Sequence, residues 1–154
     1  MIELLGHEST HSRGLPFAKP MWNEGIATCV GIRLGQELGY KAEADATLEG
    51  WIRGPRRHDP DMNEFDLAAG KGIPHGAAMA KPMWIFEELR KKRPDILARY
   101  FQIKPKLFDP DHMKSHTADD SVAVLSLAMG RYPFPWLQSL GVKVERSRTT
   151  VAAP

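Results

Sequence analysis

The sequence predicts a mainly α fold with little or no sheet. Three observations carry that prediction: apolar residues recur at helical spacing, glycines stand where those segments stop, and Thr117-Ala118-Asp119-Asp120 reads as a capping box with Asp in place of Glu.

The elements follow in chain order. Ile2 to Arg13 contains no Pro and a single Gly, Gly6, and Gly14 occupies a C-cap position, so a helix ending at Arg13 is expected. A Pro-punctuated loop follows (Leu15 to Pro20). Met21 to Leu38 then reads as a helix with Trp22, Ile26, Cys29, Val30 and Leu34 apolar, closed by Gly39. Lys41 to Ile52 fits a further helix with Ala44, Leu48 and Trp51 inward, weakened by Gly50. Gly54 to His75 holds Gly-Pro, Asp-Pro and Gly-x-Gly punctuation and reads as a long irregular excursion.

Gly76 to Arg93 is the next helix, with Met79, Met83, Phe86 and Leu89 on one face and Pro82 as either a kink or the true first turn. Pro94-Asp95 opens another, through about Lys106, burying Ile96, Leu97, Tyr100 and Phe101. The capping box starts a helix over Val122 to Met129, ended by Gly130. Phe134 to Leu140 is a short helix stopped by Gly141, and Val142-Lys143-Val144 is a strand or an extended tail. The chain thus reads as one domain over 1–154: a pair of helices at 1–40, an irregular excursion at 41–75, a helical core at 76–141 and a tail at 142–154.

A chain of 154 residues, 42% hydrophobic, can bury roughly two-thirds of its unfolded surface without disulfides. Lys and Arg number 21 against 19 Asp and Glu, interspersed, so no nucleic-acid-binding stripe is implied. Cys29 is the single cysteine, which excludes an internal disulfide framework and reads as a small buried apolar residue. No apolar run approaches the ~20 residues of a membrane span, and the N-terminus lacks a signal-peptide pattern.

The chemistry concentrates at His7-Glu8-Ser9-Thr10-His11, the pattern H-E-x-x-H on a predicted helix. Two histidines four residues apart share one helical face, so both imidazoles can reach one ion. A catalytic zinc site needs three protein ligands and an open position for water. The extended H-E-x-x-H-x-x-G-x-x-H pattern is followed through Gly14 but has Phe17 at its last position, and phenylalanine cannot bind a metal. Trp22-Asn23-Glu24-Gly25 offers a glutamate near the start of the next helix, with twelve residues between His11 and Glu24 and a Pro-rich loop suited to the reversal.

In these residues the sequence resembles the gluzincin metallopeptidases, which pair H-E-x-x-H with a downstream Glu, often in Asn-Glu. The short gap before Asn23-Glu24-Gly25-Ile26-Ala27 looks most like the enhancin-like, mucin-targeting branch, and Asp120 to Gly141 is loosely similar to that branch's C-terminal helices. The resemblance implies a zincin-like C-terminal helical subdomain. It also implies Zn2+ held by His7, His11 and Glu24, Glu8 as general base for a zinc-activated water, and hydrolysis of peptide bonds in protein or glycoprotein substrates. Some gluzincins carry an Asp four residues after the ligand Glu; here that position is Thr28, so the usual supporting carboxylate is missing or supplied otherwise. The oxyanion donor is open between Tyr40, His75 and His116, with His75 preferred because it joins the long loop to a helix.

In zincins a sheet precedes the metal helix and aligns the substrate, whereas six residues precede His7 here. The expectation is therefore the C-terminal side of a cleft, with an upstream domain in a longer parent, which the resemblance alone implies to be secreted or at the cell surface. The alternative is a non-catalytic or truncated peptidase-like domain that keeps only the metal helix. Other features read as structural. Asp59 to Gly70 lacks the turn glycine and final Glu of a calcium loop, His112 and His116 read as surface or capping histidines, and the four tryptophans are spread as core anchors.

Overall fold

The computed structural model describes residues 2–12, 20–58, 75–108 and 117–151. Among them it is mainly helical, with no strand: α1 (Ile2–Ser12), α2 (Pro20–Glu37), α3 (Lys41–His58), α4 (His75–Lys92), α5 (Ile96–Leu107), α6 (Ala118–Met129) and α7 (Phe134–Ser139). Val142 to Val144, the possible strand, is not one: the Val144 N–H donates back to the Val142 carbonyl at 3.0 Å in a tight turn, and a 3-10 turn follows at Arg146–Arg148. Among the described residues, no helix is long and apolar enough to cross a membrane.

α2 is the organising element, packed against α1, α3 and α4. Its inner face buries Trp22, Ile26, Cys29 and Ile32, against Met83, Phe86 and Leu89 of α4. Trp22 meets Phe86 edge-on at 5.7 Å between ring centroids, a geometry favoured by the ring quadrupoles. One carboxylate strengthens the same seam. Glu87, 7% exposed, takes both Nη2 contacts of Arg33 at 2.5 and 2.6 Å and is reached from its own helix by Arg90. A buried carboxylate costs several kcal/mol unless its oxygens are paired, and two guanidiniums supply the pairing.

α6 is buried nearly all round, as an interior helix must be. Its predicted capping box is present: the Asp120 backbone N–H donates to Thr117 Oγ1 at 3.1 Å, while the Thr117 backbone N–H donates to Asp120 Oδ2 at 3.0 Å. The other carboxylate oxygen accepts from the Thr150 backbone N–H at 2.7 Å and from the Thr149 and Thr150 hydroxyls, so Asp120 also clasps the C-terminal segment. Neighbouring Asp119 accepts from the Glu145 backbone N–H and pairs with Arg148.

The structure corrects or narrows the sequence reading in four places. α3 runs through Gly54-Pro55 to His58 and α4 begins at His75, so 41–75 is not one irregular excursion; residues 59–74, including the Asp59 to Gly70 stretch, lie outside the described residues. Proline's fixed φ is itself helical, so a helix can run on through it with one backbone N–H lost. Of the two alternatives for Pro82 the first turn is excluded, because the residue lies inside α4. Leu97 and Phe101 are half-buried, unlike Ile96 and Tyr100, because they face a groove of about 650 Å3 between α1, α2 and α5. Of the four tryptophans only Trp22 is buried; Trp51, Trp84 and Trp136 are partly exposed against the core, with Trp84 and Trp136 in mutual contact.

Candidate metal centre

The site forms where α1 crosses α2, and two glycines beside the ligand residues set how closely the helices pack. A Cβ added to Gly6 would stand 2.8 Å from the Gly31 Cα and 3.3 Å from a Leu34 methyl. No side chain larger than hydrogen fits, so the backbones of α1 and α2 approach directly, and His7 follows Gly6. Glu24 is placed in a similar way, because a Cβ on the adjacent Gly25 would meet the Pro82 ring at 2.6 Å. α2 is thus pressed against α4 one residue after Glu24.

At this crossing His7, His11 and Glu24 converge, one donor atom from each lying within 4.8 Å of the others. The two Nε2 atoms are 3.0 Å apart; Glu24 Oε2 lies 3.3 Å from His7 Nε2 and Oε1 lies 3.5 Å from His11 Nε2. The rings stand edge to face at 73°. Ligands bound tetrahedrally at ~2.0–2.1 Å are separated by about 3.3 Å; the two Nε2 atoms lie near that spacing, and each has a different Glu24 oxygen near it. The three side chains are partly exposed, at 20%, 33% and 33%, which leaves a solvent-facing side. These residues could therefore hold a metal ion.

Glu8, next to His7, is exposed. Thr28 stands one turn beyond Glu24, and its Oγ1 lies 3.3 Å from His7 Nδ1. The position where sequence reasoning registers an absent carboxylate therefore carries a hydroxyl in contact with the first histidine. The i, i+4 spacing from Glu24 was the available signal, since it places both residues on one face of α2.

The oxyanion-donor alternatives divide. Tyr40 is exposed and lies past the C-terminal end of α2, roughly 20 Å along the helix axis from Glu24, so it is not brought to the metal ligands. His75 is the first residue of α4, and its side chain lies outside the described residues, as do His112 and His116. Comparison with known proteins finds no matching family model, no matching curated protein and no matching solved structure.

Proposed function

We propose that this chain is a zinc-dependent metallopeptidase of gluzincin type, with His7, His11 and Glu24 as zinc ligands and Glu8 as general base. The observation that carries the reading is the convergence of His7, His11 and Glu24: the two Nε2 atoms are 3.0 Å apart, and the two Glu24 oxygens lie 3.3 Å from one and 3.5 Å from the other. Two imidazoles and one carboxylate make a donor set that zinc accepts, with a fourth position left for water. Zinc bound there would act as a Lewis acid and bring the pKa of water toward ~7.

The chain's own residues do the remainder. Glu8 is exposed beside the first ligand and takes the proton of the attacking water, then passes it to the leaving amine. Glu24 and the two imidazoles come from two helices in close contact at Gly6 and Gly31, and together they hold the centre. The groove on the adjoining side of α1, with Val30, Leu34, Leu97 and Phe101 in its wall, offers apolar contacts to a polypeptide lying beside the site.

The test separates binding from chemistry. Purified protein is loaded with zinc, dialysed and assayed for metal and for cleavage of casein and of a fluorogenic peptide library. The wild type is expected to retain about one zinc per chain and His11→Ala to lose it; equal metal content in both overturns the ligand set. Glu8→Gln is expected to keep its zinc while hydrolysis drops by about 10²- to 10⁴-fold. Undiminished hydrolysis removes Glu8 from its role, and zinc binding with no cleavage of either substrate by the wild type overturns the peptidase reading.

A further inference from the structure

His7 makes two contacts, one at each ring nitrogen. Its Nε2 faces His11 and Glu24, and its Nδ1 lies 3.3 Å from the Thr28 hydroxyl. A neutral imidazole carries one proton, so a ring that gives its Nε2 lone pair to a cation must hold that proton on Nδ1. Whatever accepts from Nδ1 then fixes both the tautomer and the angle of the ring. Thr28 Oγ1 occupies that place. It is held there because Thr28 and Glu24 are one turn apart on the face of α2 that the Gly6–Gly31 contact presses against α1.

We propose that Thr28 is a positioning residue for the metal centre: its hydroxyl accepts the His7 Nδ1 proton and holds Nε2 toward the ion. This rests on the reading of His7, His11 and Glu24 as metal ligands. A hydroxyl is a neutral acceptor. Compared with a carboxylate in the same place it withdraws less of the Nδ1 proton, leaves the imidazole a weaker base, and so sets metal affinity below what this scaffold can reach. Thr28 thereby tunes how readily the centre gains and loses its ion, and α2 supplies both a ligand and the support for a ligand on α1.

The experiment measures zinc dissociation constants by competition with a chelating dye for the wild type, Thr28→Val, Thr28→Ser and Thr28→Asp, with His11→Ala as the non-binding control. Thr28→Val keeps the shape of the side chain and removes the acceptor; its dissociation constant is expected to rise about 10- to 100-fold. Thr28→Ser is expected to restore binding to within a few-fold of the wild type, and Thr28→Asp to bind more tightly than the wild type. Melting temperatures of the metal-free proteins are compared in parallel, and should agree for wild type, Val and Ser. A second readout is independent of affinity: long-range 1H–15N spectra of the zinc-loaded wild type should show His7 protonated at Nδ1, with that resonance shifted in Thr28→Val. Equal affinities for wild type and Thr28→Val, with His11→Ala failing to bind, overturn this proposal alone. Failure of the wild type to bind zinc overturns it together with the metal-site reading.

Discussion

Gly6→Ala tests whether the distance between α1 and α2 sets the metal centre. The added methyl would stand 2.8 Å from the Gly31 Cα, where carbon atoms in contact are normally ~3.5–4.0 Å apart, so the helices must part by about 0.7–1.2 Å at that point. The obstacle is backbone, which cannot rotate away as the Leu34 methyl can. Metal–ligand distances tolerate only about ±0.2 Å, and His7 is the next residue, so the histidines are expected to part from Glu24 by several times what an ion accepts. Stability moves less than binding. Overpacking costs about 1–3 kcal/mol, and replacing a helical Gly by Ala returns about 1 kcal/mol, so the net loss is about 0–2 kcal/mol. Dye competition should show zinc affinity weakened at least tenfold, while urea denaturation in chelator shows a small change. A Gly6→Ala protein that binds zinc as the wild type does, and is more stable by the full helix-propensity gain, refutes the glycine contact as the spacer.

Three other outcomes are expected. Gly50→Ala, in α3 with nothing within 4 Å of the added carbon, should stabilise the protein by about 0.5–1 kcal/mol in the same urea titration, because only helix propensity changes. Burial alone would raise the Asp120 carboxyl, but hydrogen bonds from Thr117 and Thr150 outweigh it and hold the group below its usual range. Its stabilisation is therefore complete above the unfolded pKa of about 3.9 and disappears as pH falls through the lower folded value. Asp120→Asn should cost about 1–3 kcal/mol at pH 7 and progressively less below pH 4, and a gap independent of pH would contradict the clasp. The Cys29 thiol is pushed far up by burial and then by the Glu87 charge, so it should resist a disulfide reagent at pH 8 until the protein is unfolded; stoichiometric labelling of the native protein would refute its burial.

Much of this architecture is legible in the sequence because its signals are local. Gly39, Gly130 and Gly141 follow α2, α6 and α7 in left-handed backbone, at φ +96°, +68° and +74°, and the Thr117/Asp120 box needs only four residues to be recognised. The same locality explains the misreadings, since Gly54-Pro55 and Pro82 carry breaker composition inside segments that stay helical. At the site, the His7/His11 pair and Glu24 follow from spacing along two helices. Nothing local announces that Gly6 faces Gly31, that Gly25 faces Pro82, or that Arg33 reaches Glu87 on another helix, because each is a pairing of surfaces decided by tertiary packing. Thr28 lies between these cases: its face is periodic and readable, whereas its contact with His7 exists only once α1 has docked.

The division of donors between helices makes the proposed centre a cross-link. Two ligands come from α1 and one from α2, while α2 is itself fixed to α4 by the Arg33–Glu87 pair. An ion bound across that crossing binds only the docked arrangement, so occupancy and docking of the N-terminal helix are thermodynamically linked. At a free concentration of one hundred times the dissociation constant, the docked state gains about 2.7 kcal/mol. Withdrawing the metal would therefore loosen α1 before it disturbed α4 or α6, so exchange of the α1 amides with solvent gauges the metal content of the centre.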